Sequence, residues 1–133
     1  MRYGMDGSEL QGHSILVVED EPIFATETAC AIVAAGGSVV GPAYSLSEAF
    51  AMIEDAELDG ALLDLNLRNE KVFSLADALA DRGVPIAFVT GEIWPVIPER
   101  HAGCRVVGKP ITDSKVVAAI SSAIEEERAR VAA

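Results

Sequence analysis

Short apolar runs and stretches of helical period take turns along this chain, and that alternation is the strongest constraint on its fold. The apolar runs suit buried strands over roughly 14–19, 38–42, 60–64, 86–90 and 104–108. Strands that alternate with helices imply βαβ units and a parallel sheet. Chemistry in an open sheet of this class collects at the carboxyl ends of its strands.

The helical stretches carry their own signals. Pro22 suits a first helical turn, and Phe24, Thr28, Ala31, Ile32 and Ala35 then form one stripe that Gly36-Gly37 stops. Ser45-Leu46-Ser47-Glu48 is a capping box, opening a helix with Leu46, Ala49, Phe50 and Ile53 on its apolar face. A third helix is expected near 73–82, ending at Gly83. The last starts around Thr112 or Asp113 and shows Val116, Val117, Ile120 and Ile124 on one side. Between Thr90 and the fifth strand, Pro95, Pro98 and Gly103 argue against a regular helix, so a single turn or a loop is expected there. Residues 1–13 are Gly-rich and polar and read as a flexible leader. One domain is expected over 14–131.

The 133 residues suffice for one domain and are half apolar, which supports a real core. The net charge of −11, from 21 acids against 10 bases, argues against a nucleic-acid partner. No apolar stretch approaches membrane-spanning length, and the amino terminus lacks a signal-peptide pattern, so a cytoplasmic protein with no membrane partner is expected. Cys30 and Cys104 read as buried free thiols of a reduced compartment.

Four strand ends bear chemistry. Glu19 and Asp20 end Ile15-Leu16-Val17-Val18; Asp64 ends Gly60-Ala61-Leu62-Leu63; Thr90 ends Ile86-Ala87-Phe88-Val89; Lys109 ends Arg105-Val106-Val107-Gly108. Phosphoryl transfer to a carboxylate needs an accessible nucleophile, a divalent cation, and donors around the equatorial oxygens. Asp64 suits the nucleophile. Glu19, Asp20, Asp64 and the Asn66 carbonyl suit Mg2+, Thr90 can donate a hydroxyl, and Lys109 can pair with Asp64. Singly, each has a plainer reading as a helix start, turn residue or solvated loop lysine. Their coincidence at one sheet edge favours a phosphoacceptor site.

These motifs resemble the receiver domain of two-component response regulators (CheY-like) over about residues 14–128. Ile15-Leu16-Val17-Val18-Glu19-Asp20-Glu21-Pro22 resembles that family's acidic opening, and Leu62-Leu63-Asp64-Leu65-Asn66-Leu67 its phosphorylation strand. Val89-Thr90-Gly91 and Val107-Gly108-Lys109-Pro110 resemble its hydroxyl and lysine motifs, and the 44-residue step from Asp20 to Asp64 is typical. The resemblance implies a flavodoxin-like three-layer sandwich, α/β, with a five-stranded parallel sheet in order 2-1-3-4-5. It also implies a cis Lys109-Pro110 bond, phosphotransfer onto Asp64 from a sensor histidine kinase or histidine phosphotransfer protein, and slow hydrolysis of the acyl phosphate. Two departures stand out. The family's usual aromatic three positions before the lysine is Val106, and only 19 positions separate Thr90 from Lys109. Together with Pro85-Ile86-Ala87-Phe88-Val89-Thr90-Gly91 they resemble the alphaproteobacterial subgroup nicknamed for a Phe-Ala-Thr-Gly motif.

The leading expectation is a stand-alone receiver, ending at Ala133 without an output module, that signals to an unknown downstream protein by contact. It is not expected to be an enzyme beyond self-catalysed phosphotransfer and autodephosphorylation. A haloacid-dehalogenase-like phosphatase would need an acid where Asn66 stands, and a flavodoxin-type site would need a Gly/Ser/Thr loop where Glu19-Asp20-Glu21 stands. A pseudo-receiver that binds without phosphate, or a passive phosphate sink, stays open because of Val106. His13 and His101 read as surface histidines, and Trp94 as a packing residue or partner contact.

Overall fold

A computed structural model describes residues 7–68 and 70–132. It contains β1 (Ser14–Val18), α1 (Pro22–Ala34), β2 (Ser38–Ala43), α2 (Leu46–Ile53), β3 (Gly60–Asp64), β4 (Asn66–Leu67), β5 (Glu70–Lys71), α3 (Phe73–Asp81), β6 (Ile86–Thr90), a 3-10 turn (Glu99–His101), β7 (Arg105–Gly108) and α4 (Asp113–Ala132). The main sheet has order β2-β1-β3-β6-β7 with every pair parallel. Counted over its own five strands this is 2-1-3-4-5, the flavodoxin-like order. The β4–β5 hairpin, a separate antiparallel pair, was not foreseen.

Period-two alternation divides the core between two faces. Leu16, Val18, Ala61, Leu63, Ile86 and Phe88 face one layer, where Ala49 and Ile53 of α2 and Leu75, Ala76 and Leu79 of α3 cover them. Their neighbours Ile15, Val17, Leu62, Ala87 and Val89 face the other. There Ala31 and Ile32 of α1 and Val116, Val117, Ile120 and Ile124 of α4 complete the sandwich. Strands buried on both faces read as continuous apolar runs for this reason.

Local chemistry sets the element ends. Ser45 caps α2, its Oγ accepting from the Glu48 N–H at 3.2 Å; Glu48 reaches back to the Tyr44 N–H at 2.7 Å. At the end of α1, Gly36 takes φ +90, and an added Cβ there would lie 2.6 Å from Gln11 Oε1. One 3-10 turn stands where a fourth long helix would run, since Pro95 and Pro98 withhold the N–H donors a helix needs.

Several side chains depart from expectation. Leu10 is fully buried, and its N–H donates to the Ala35 carbonyl at 2.9 Å, so the supposed leader contributes to the core; residues 1–6 lie outside the described residues. Phe50 is exposed, because Ala49 and Ile53 occupy the inward positions of α2. Cys30 is exposed too, off the buried Ala25, Thr28, Ala31 and Ile32 stripe of α1; only Cys104 is partly covered. Burial, then the charge of Glu126, pushes the Cys104 thiol up. Trp94 does not pack. It is 88% exposed, beside Ile93 and Val96 in the irregular segment after β6.

His101 is the opposite case, being 2% exposed rather than on the surface. The 3-10 turn points its ring inward, stacked on Phe73 at 6.3 Å and edge-on to Phe88 at 6.0 Å. Its Nε2 lies 2.7 Å from Asp77 Oδ1, which satisfies the polar atom that burial would otherwise penalise. The partner sits 24 residues upstream on α3, beyond the reach of spacing arguments.

Candidate functional site

Parallel strands present all their carboxyl ends on one edge, and the backbone ladder holds the residues just beyond those ends in place. The Glu19 N–H donates to the Ala43 carbonyl at 3.0 Å, that of Leu65 to Val89 at 2.9 Å, and that of Lys109 to Thr90 at 2.8 Å. The acids after β1, the end of β3, the end of β6 and the lysine after β7 are thus neighbours by construction. The Lys109-Pro110 peptide is cis, as the resemblance implied.

Side chains converge accordingly. One carboxylate oxygen each of Glu19, Asp20 and Asp64 lies within 4.8 Å of the others. Glu19 and Asp64 are buried, and Asp20 is half-buried. Lys109 Nζ stands 3.0 Å from Glu19 Oε1 and 3.0 Å from Asp64 Oδ2, and lies over the Phe24 ring at 4.8 Å from its centroid. Backbone donors hold the carboxylates: the Asn66 N–H to Asp64 Oδ1 at 3.1 Å, the Arg68 N–H to Asp20 Oδ2 at 3.1 Å, and the Glu21 N–H to Glu19 Oε2 at 3.2 Å. Thr90 is buried, its Oγ1 accepting from the Glu92 N–H at 3.0 Å.

Crowding shows in the electrostatics. Burial, and then contact with the Asp64 carboxylate, push the Glu19 carboxyl from 4.5 up to about 7, against the lowering pull of Lys109. Burial alone would lower the Lys109 ammonium, but hydrogen bonds and charge from Glu19 and Asp64 outweigh it and hold the group above its ordinary value. One cation therefore offsets three acids incompletely. The donor set fits a magnesium ion in kind: all three are hard oxygens, and since neighbouring oxygens on octahedral magnesium stand about 3 Å apart and opposite ones about 4 Å, the side chains would draw closer together to share one ion.

Every residue singled out at the four strand ends is brought to this edge. Asn66 arrives through its N–H and also through its side chain, which sequence reasoning did not foresee. Its Nδ2 donates to Glu92 Oε2 at 2.6 Å, its Oδ1 accepts from the Lys71 ammonium, and Lys71 Nζ stands 3.5 Å from Glu92 Oε2. The Asn66 hydrogen bond, aided by Lys71, holds the Glu92 carboxyl below its usual range. Asn66 and Glu92 each lie two residues past a strand-end group, Asp64 and Thr90, so common spacing was the available signal. Lys71 gave none, because the hairpin that delivers it was not foreseen.

The chain is similar to known proteins over most of its length. No protein-family model matches it. SdrG from Sphingomonas melonis Fr1 is 35% identical, with a TM-score of 0.74, and the match covers 89% of this chain and 98% of SdrG. A response regulator receiver domain protein (CheY-like) from Methanospirillum hungatei, 22% identical over 91% of this chain and 98% of that one, shares the fold with a TM-score of 0.76. Among curated proteins, the Phyllosphere-induced regulator PhyR of Methylorubrum extorquens is 28% identical over 116 residues. That match takes in 83% of this chain but 43% of PhyR, so the chain spans less than half of that relative's length. With the sheet order and the strand-edge residues already described, these likenesses identify the chain as a member of the CheY-like response-regulator receiver family.

Proposed function

We propose that this receiver accepts a phosphoryl group on Asp64 from the phosphohistidine of a sensor histidine kinase or histidine phosphotransfer protein, and signals to a downstream protein by contact. An Asp64 oxygen would form the new O–P bond as the N–P bond of the phosphoimidazole breaks, and the departing imidazole would take up a proton. The observation that carries this reading is Lys109 Nζ, 3.0 Å from Asp64 Oδ2, which places a fixed positive charge beside the proposed nucleophile. Glu19, Asp20, Asp64 and the Asn66 carbonyl are the proposed holders of Mg2+, which when bound supplies positive charge against the incoming phosphoryl oxygens. In this reading the Thr90 hydroxyl turns from the Glu92 N–H toward a phosphoryl oxygen.

The segment 91–103 is the proposed responsive element. It follows Thr90 directly, and Ile93, Trp94 and Val96 in it stand free of the core. Its donor would be a kinase of the kind that accompanies the Phe-Ala-Thr-Gly-motif subgroup, in the cytoplasm. The proposed chemistry is self-catalysed transfer and slow hydrolysis, without turnover of an outside substrate.

Acetyl phosphate with magnesium should raise the intact mass by one phosphoryl group, and Asp64→Asn should abolish the gain. Persistent labelling of the Asn variant would move the acceptor elsewhere. A second reading, a pseudo-receiver or passive sink, draws on Val106, an exposed aliphatic where the family's inward-turning aromatic would stand. Beryllofluoride separates the two: amide shifts across 90–110 support signalling, and their absence supports the passive form.

A further inference from the structure

Lys109 is held on three sides, and the third side is not a carboxylate. Its ammonium meets Glu19 Oε1 and Asp64 Oδ2, each at 3.0 Å, and lies over the face of Phe24 with 4.8 Å to the ring centroid. Phe24 comes from the first turn of α1, an element that supplies none of the strand-edge groups. A ring at that range attracts an ammonium through its quadrupole and also keeps water from the cation. An aliphatic residue of similar bulk would fill the space without the attraction.

We infer that Phe24 is a positioning residue for the proposed phosphoacceptor, its ring face keeping the Lys109 ammonium between Glu19 and Asp64. A lysine has a flexible four-carbon stem and strongly hydrated head, so two hydrogen bonds at the edge of solvent leave it free to swing outward. The ring opposes that swing. Lys109 then meets an incoming phosphoryl group already placed, and less ordering cost falls on the binding step. The inference deepens the reading of Asp64 as acceptor and rests on it for its consequence, although the ring–ammonium contact itself does not.

Two measurements on the whole chain test it, with Phe24→Leu and Phe24→Met as aliphatic variants and Phe24→Tyr as the variant that keeps a ring. In the first, beryllofluoride with magnesium is titrated into each protein and followed by amide spectra. Both aliphatic variants should bind roughly threefold to tenfold more weakly, and the Tyr variant should return to within about twofold of the parent. In the second, with no mimic present, hydrogen exchange at the Lys109 ammonium should quicken in the aliphatic variants and slow again in Phe24→Tyr. Amide dispersion matching the parent shows that each variant folds. Unchanged ammonium exchange in Leu and Met, or a Tyr variant as weakened as Leu, overturns the inference while leaving Asp64 as acceptor untouched. Failure of the parent to bind the mimic, with the exchange pattern as expected, overturns the acceptor reading and leaves the ring's hold on Lys109 supported.

Discussion

Replacing Glu19 by Gln should make the protein more stable at pH 8 and change little at pH 5. A carboxyl whose folded pKa lies above its unfolded value holds its proton more tightly in the folded state. It therefore favours folding while protonated and opposes it once ionised, so its contribution is lost as pH rises from about 4.5 through about 7. With roughly 1.4 kcal/mol per pH unit of displacement, the full difference across that window comes to about 3 kcal/mol. For a domain of this size that corresponds to a shift in Tm on the order of 10 °C. Lys109 adds no slope between pH 5 and 8, because its pKa is held above an already high ordinary value. Gln keeps an oxygen to accept from Lys109 but carries no charge at any pH, so the difference between parent and Glu19→Gln reports the Glu19 carboxyl together with its interaction with Asp64. Urea unfolding followed by far-UV circular dichroism, after removal of divalent ions with EDTA, gives both stabilities; the emission of exposed Trp94 is a poor reporter. Millimolar magnesium at pH 8 should then recover stability in the parent, since a ligand that binds only the native state stabilises it. Parallel pH profiles for the two proteins, or a parent that gains on the variant as pH rises, would refute the reasoning.

Three further outcomes follow from the same packing. Lys109→Met removes both ion pairs and leaves Glu19 and Asp64 uncompensated, so stability in EDTA at pH 8 should fall by about 1–3 kcal/mol, with magnesium recovering part of it; unaltered stability would count against the electrostatic account. His101→Ala should cost about 2–4 kcal/mol in urea unfolding, through lost contact with Phe73 and Phe88, whereas His101→Phe should stay within about 1 kcal/mol. A cost below 1 kcal/mol for the Ala variant would mean the ring is not a core element. Trp94→Ala should leave stability within about 0.5 kcal/mol, as its side chain is 88% exposed, and a loss beyond 1 kcal/mol would show that it packs in solution.

Why the strand edge was legible and its surroundings were not is a matter of which interactions are local. Each strand-end residue is fixed by a run of apolar neighbours in its own segment, and the parallel sheet then places all the ends together without further information. The helix stripes work likewise, except where one more residue was counted than the face can bury. Phe50 stands at the rim of that face, where Ala49 and Ile53 take the buried positions of α2. His101 became a core residue through Asp77 and Phe73 of α3 and Phe88 of β6, none of them signalled by spacing. Leu10 escaped notice because a single apolar residue among glycines and polar groups has no period. Polar composition of a segment says little about the one side chain that docks.

The same distinction bears on the acidic edge. A chain of net charge −11 gains nothing in stability by bringing Glu19, Asp20 and Asp64 within 4.8 Å of one another, and Lys109 cannot neutralise all three. Backbone N–H groups from Glu21, Asn66 and Arg68 orient these carboxylates instead of releasing them to solvent. The hairpin serves this end directly: it brings the Arg68 N–H onto Asp20, and its Lys71 joins Asn66 to Glu92. Folding thus holds carboxylates together at a cost that an added cation can relieve. A site of that kind responds to what binds there, since any charge that enters changes the balance the rest of the edge was built around.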